Sequence, residues 1–159
     1  MKYEELRTMS HATSFPASPS PQPRDVEVFT DLLGEGLTNG QISWRPYQHP
    51  GRAAVDVHWL YTAEETGTEG AEGYIAHQRP GSHTDLHRHL GFELVLVLQG
   101  ELRDDTGERF PAGTLLVQHP DSIHRVSSPT GCKILVIREK QAVSLESVGP
   151  AAVSGGLPL

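Results

Sequence analysis

A chain of 159 residues with 13 basic and 20 acidic side chains, net charge −7, is predicted to fold as one domain with a real buried core. That acidity, with no basic stripe or arginine-rich arm, argues against nucleic acid and anionic membrane surfaces as partners. The single cysteine, Cys132, cannot form an internal disulfide, and neither a signal peptide nor a run of about 20 apolar residues is visible, so a cytoplasmic location is expected.

Residues 1–24 read as a disordered leader. The run SHATSFPASPSPQPR is mostly Ser, Pro, Ala and Thr, with too little apolar surface to offset the entropy of ordering it. Over 25–34 the pattern changes: Val26, Phe29, Leu32 and Leu33 recur at helical spacing, with Asp25 placed to cap the start and Gly34 to end it. This predicts one short amphipathic helix. Residues 41–45 are read as an edge strand stopped by Pro46, and Pro50-Gly51 as a turn. Residues 53–62 alternate as a strand, Ala53, Val55, Val57, Trp59 and Tyr61 on one face, Asp56 and His58 on the other. After an acidic, glycine-rich loop over 64–73, a second strand over 73–79 is closed by Pro80-Gly81.

The stretch GSHTDLHRHLGFELVLVLQG, residues 81–100, carries the chemistry. His87 and His89 lie two apart, which on an extended backbone puts both imidazoles on one face, within reach of one ion. Glu93 opens the apolar run LVLVL, so a carboxylate enters a strand whose both faces are apolar and which is expected to be covered on both sides. A lone buried charge there is costly, and a cation held by His87, His89 and Glu93 removes the cost. Beyond it, 102–110 is predicted to be a hairpin turning at Asp105-Thr106-Gly107. Strands follow over 114–118, 124–128 and 132–138, separated by Pro-rich turns. From Gln141 strand character is lost, and 141–159 is read as a tail or arm around a domain spanning 25–140. Many short strands with Gly and Pro turns imply an all-β barrel or jelly roll with one short N-terminal helix.

The segment from Gly81 to Gly100 resembles the first motif of the cupin superfamily. The second motif resembles that of the cupins at Gly113 in PAG, the strand TLLVQ and the turn His119-Pro120-Asp121, with His124 in the place of a fourth ligand. In that turn His119 and Asp121 stand where cupins usually carry Pro and Gly. Residues 44–138 are similar to one subgroup, the ChrR-like cupins (small RmlC-like cupins). The shared features are Pro80-Gly81, the HxHxGxE of 87–93, VLQGEL at 97–102, the DDTG hairpin, PAG at 111–113, Pro120 to His124, and Gly131-Cys132.

The resemblance implies a double-stranded β-helix with one divalent metal (Fe, Zn, Ni or Mn) on His87, His89, Glu93 and His124. It also implies two kinds of function, since the group includes the sensory half of zinc-binding anti-sigma factors and related small cupins include iron-dependent oxygenases of diketones and hydroxyketones. Some of those oxygenases use three histidines without the glutamate. Because the N-terminal segment has no cysteine before Cys132, the zinc-bound helical domain with which anti-sigma members grip their sigma factor is not expected here. The reading favoured is a metal-dependent dioxygenase of a small compound, its catalytic groups unassigned, with a non-catalytic zinc-binding sensory cupin as the alternative. His119, Cys132 and His83 are noted as possible neighbours of the site or its pocket, His119 and His83 more simply as surface residues and Cys132 as core. Arg88 and Arg125 should point away from it. A homodimer is expected from exposed sheet faces, and metal affinity is expected to fall as pH drops through about 6, the range of an unperturbed imidazole.

Overall fold

The structure, a computed structural model, describes residues 26–146; the predicted leader and most of the predicted tail lie outside them. In chain order it contains β1 (Arg45–Pro46), β2 (Arg52–Tyr61), the four-residue helix α1 (Ala63–Thr66), β3 (Glu72–Thr84), β4 (His87–Arg88) and β5 (Glu93–Asp104). There follow β6 (Arg109–Pro111), β7 (Leu115–Gln118), β8 (Ile123–His124), β9 (Val126–Ser128), β10 (Cys132–Arg138) and β11 (Val143–Ser144). Every pairing is antiparallel. The main sheet runs β1-β2-β3-β10-β5-β6, with β7 also on β5. It closes because β9 pairs with two strands at once, Ser82↔Ser128 on β3 and Arg103↔Ser127 on β5. The all-β barrel expected from the turn spacing is the fold observed.

Period-2 alternation fills the interior. Val55 and Val57 of β2, Tyr74 and Ala76 of β3, Val95 and Val97 of β5, and Ile134 and Val136 of β10 form one buried cluster. Residues one position out of phase, Ile75 and Leu98, are equally buried on the outside, where Leu37 and Ile42 of the N-terminal segment cover them. Burying each such side chain contributes about 1.5 to 3 kcal/mol. β5 is therefore covered on both faces, but only in part: Leu94 remains 39 % exposed. The strand is bulged, since Lys133 pairs with Gln99 and Ile134 with Val97. Beside the bulge sits Gly100 at φ 75, where a Cβ would collide with the Gly131 carbonyl oxygen.

The helix predicted over 25–34 does not form within the described residues. Asp31 adopts φ 54, and its carboxylate accepts from the Glu35 amide at 2.9 Å, leaving only a 3-10 turn at Glu35–Leu37. The Gln41 side chain accepts from the Thr30 amide and donates to the Thr30 and Gly36 carbonyls, supplying the partners that a helix would have supplied itself. Phe29 and Leu32 still reach the outer cluster, while Val26, Val28 and Leu33 stay exposed. The edge strand expected over 41–45 is shorter and later, Arg45–Pro46. The acidic loop contains α1, started by a Thr62/Glu65 capping box. The beginning of the predicted tail is ordered: Val143↔Arg88 and Ser144↔His87 pair β11 with β4.

Candidate metal centre

A three-stranded sheet, β11-β4-β8, lies at one end of the barrel and builds the site. His87 on β4 sits directly opposite His124 on β8. His89 is placed by the neighbouring turn: its amide donates to the Ser122 carbonyl at 3.0 Å and its carbonyl accepts from the Asp121 amide at 2.8 Å. That turn closes with the Ser122 amide donating to the His119 carbonyl, and Asp121 holds φ 67. Asp121 thus occupies the left-handed position that Gly fills in related turns, a conformation Asp tolerates better than most residues.

One ring nitrogen from each of His87, His89 and His124 lies within 4.8 Å of the other two, and His87 and His89 are buried. His89 Nε2 and His124 Nε2 are 3.0 Å apart. Two nitrogens at about 2.1 Å from one ion and at right angles across it stand about 3.0 Å apart, so the separation fits shared coordination. His87 Nδ1 is 2.8 Å from the Asp85 carbonyl oxygen, which fixes the proton on Nδ1 and leaves Nε2 free to ligate. Burial, reinforced by the charge of Arg52, pushes His87 down to about 3 and His89 to about 4; burial lowers His124 too. At neutral pH all three are unprotonated, the form that binds metal.

Glu93 is buried on the same cavity, but the structure places it outside the close grouping of ring nitrogens. Its Oε2 is 3.8 Å from His89 Nδ1 and 3.8 Å from an Arg138 nitrogen, and has no hydrogen-bond partner among the described residues. Burial pushes its carboxyl up while it pushes His89 down, so the two are not an ion pair despite their proximity. An orphaned carboxylate oxygen beside three neutral imidazoles is a donor set that fits a divalent cation.

Behind Glu93 lies an ion pair that sequence reasoning missed. Arg138, 3 % exposed, donates to Glu72, 2 % exposed, at 2.8 Å and 2.5 Å, and to the Tyr47 hydroxyl at 3.2 Å; Gln141 donates to the other Glu72 oxygen at 2.7 Å. Burial works against the Glu72 carboxylate, but the Gln141 hydrogen bond and the Arg138 charge outweigh it and lower its pKa. Strand phase puts Glu72 on the inward face of Tyr74 and Ala76 and Arg138 on that of Ile134 and Val136, but only the β3–β10 register pairs the two.

A narrow cavity runs from His87 and His124 into the barrel between Tyr74, Ala76, Val95, Ile134 and Val136. Arg52, also missed, lines both this cavity and the pocket beside it. The residues noted as possible neighbours lie elsewhere. His83 and His119 are exposed, His119 packing edge-on against Phe92 at 5.1 Å between ring centroids. Cys132 is buried in the core, its thiol pushed up by burial. Arg88 and Arg125 are exposed, as strand phase predicts, and Arg125 pairs with Glu146.

Residues 36–142 match the family described as the ChrR Cupin-like domain. Among solved structures, the chain is similar to an acetylacetone dioxygenase from Acinetobacter johnsonii, with TM-score 0.59 and 12 % identity over 87 % of this chain and 89 % of that one. An RmlC-like cupin protein from Ralstonia eutropha gives TM-score 0.58 and 17 % identity over 69 % of this chain and 71 % of the other. These two likenesses concern the fold. A chain of the Rhodobacter sphaeroides SigE complex with the anti-sigma ChrR is 26 % identical, TM-score 0.52, over 66 % of this chain and 54 % of that one; the similarity spans about half its length. Comparison with curated proteins finds no match. No helix among the described residues is long and apolar enough to cross a membrane.

Proposed function

The chain belongs to the ChrR Cupin-like domain family, and we propose that it holds one divalent metal on His87, His89, His124 and Glu93 and acts as a mononuclear oxygenase on a small diketone- or hydroxyketone-like compound. The observation that carries this reading is that neutral imidazoles open onto a lined cavity with a mouth instead of being sealed into the core. When bound, the ion supplies Lewis acidity and, if redox-active, electrons for dioxygen chemistry. The protein's part is positional. The Asp85 carbonyl orients His87, the turn at His119–Ser122 sets His89, the β4–β8 pairing sets His124, and the apolar walls keep water from a bound compound.

Anaerobic loading with Fe(II) followed by oxygen-uptake measurements across β-diketones, hydroxyacetophenones and thiol acids tests the reading. Uptake that depends on the compound and disappears in His89→Ala is the expected result. The identity with the ChrR-containing structure favours a second reading, a non-catalytic sensory module. Absence of turnover on every compound, with tight Zn(II) binding that raises the melting temperature, would establish that reading instead.

Association as a homodimer is part of the proposal. Ile137, Leu94 and Val117 are register neighbours across β10, β5 and β7, and each is at least 39 % exposed, an apolar row suited to a second copy. Light scattering at tens of micromolar should give twice the chain mass, and a monomeric mass would refute it.

A further inference from the structure

Arg52 is turned inward by a backbone irregularity. Unbroken alternation along β2 would put it on the outer face with Asp56 and His58. Instead Ala54 adopts φ 57 and the register shifts between Ala53 and Val55, so that Arg52 pairs with buried Thr84 and joins the inner face. A left-handed alanine is unfavourable, because its Cβ crowds the following carbonyl oxygen. Half-buried, Arg52 lines the cavity together with His87, Glu93 and His124, and also lines the polar pocket outside it with Asp85 and Ser144. Its guanidinium lies 6.0 Å from the Tyr47 ring centroid and has no ion-pair or hydrogen-bond partner among the described residues. Arg138, the other cation lining the outer pocket, is engaged by Glu72 and the Tyr47 hydroxyl.

The geometry points to Arg52 as an anion-reading group, so that the ligand of this site carries a carboxylate beside the oxygens that face the three histidines. This rests on the metal-dependent reading above. The charges agree with it. Among the residues lining the cavity Glu93 offsets Arg52 in sign, so a divalent ion there leaves an excess of two positive charges, while Arg138 and Glu72 cancel behind it and Asp85 lines the outer pocket, bonded to Ser144. A ligand that is both enolate and carboxylate would neutralise that excess. Arginine suits the role because its planar fork meets a carboxylate with two parallel hydrogen bonds.

The test uses Co(II)-loaded protein and two probes that differ in one group: acetylacetone, and 2,4-dioxopentanoate, in which a carboxylate replaces one methyl. Dissociation constants are read from the change in Co(II) absorption. In the wild type the carboxylate probe should bind about tenfold more tightly or better. Arg52→Gln should reduce that preference about tenfold, while Arg52→Lys, which keeps the charge, should retain most of it; melting temperatures confirm that both variants fold. The same preference in Arg52→Gln as in wild type would overturn the role of Arg52 and leave the metal-dependent reading standing. Failure of both probes to alter the Co(II) spectrum of wild type would overturn that reading, and this inference with it.

Discussion

Replacing Glu72 by Gln preserves its volume and deletes its charge, which isolates what the buried ion pair does for this barrel. Arg138 would keep the Tyr47 hydroxyl at 3.2 Å, and its nearest remaining carboxylate would be Glu93 at 3.8 Å. With both partners of the pair at most 3 % exposed, water cannot solvate the stranded guanidinium. Removing one member of such a pair costs about 3 to 5 kcal/mol. In a domain of this size each kcal/mol moves the melting temperature by roughly 3 to 5 °C, so a fall of about 10 to 20 °C is expected. Urea unfolding at pH 7 should give the same loss with an unchanged m value. The double variant Glu72→Leu/Arg138→Met should recover most of it, because an apolar pair leaves no uncompensated charge. Since the freed guanidinium would turn to Glu93, Zn(II) affinity should also fall in Glu72→Gln. The lowered Glu72 pKa requires that the pair's contribution be present above the unfolded carboxyl's value of 4.5 and be lost as pH falls through the lower folded one. A stability change under about 1 kcal/mol in Glu72→Gln would refute this reasoning, because it would mean that Arg138 is solvated or paired elsewhere.

Four further outcomes are expected. His124→Ala should lower Zn(II) affinity at least about a hundredfold whereas His119→Ala, outside the ring-nitrogen group, should change it less than about twofold, as competition with a chromophoric chelator would measure. With His87 near 3 and His89 near 4, protons compete for the folded site only at Glu93 and His124, so between pH 7 and 5 the affinity should fall by no more than about a hundredfold per unit, and less in Glu93→Gln. A fall approaching a thousandfold per unit below about pH 6 would mean unperturbed histidines, the behaviour that sequence alone suggests. The same depressed values mean that metal-free protein loses stability as pH drops from about 6.5 toward 4, where unfolded histidines take up protons that the folded ones refuse. A chain shortened to end at Lys140 loses β11 beside His87 and the Gln141 bond to Glu72, so it should bind metal more weakly than one ending at Glu146; equal affinity by calorimetry would show that this strand does not support the site.

What the sequence by itself determined is whatever is local and periodic. Alternation along 55–59 and the pleat of the apolar runs 93–99 and 132–138 set which side chains fill the barrel, because strand pleating repeats every two residues regardless of the partner strand. The spacing of His87, His89 and Glu93 places them on one buried segment, and the matched second motif adds His124. The residues that escaped depend on events far apart in the chain. Arg52 enters the cavity because one alanine at φ 57 reverses the phase of β2, and composition carries no sign of a bulge. Glu72 and Arg138 meet across 66 positions, and only the β3–β10 register makes a charge on each inner face compatible with burial. The helical pattern over 25–34 gave way for a related reason: Leu37 and Ile42 gain more by covering Ile75 and Leu98 than one short turn gains from its own hydrogen bonds, and Gln41 then satisfies the backbone from 11 residues away.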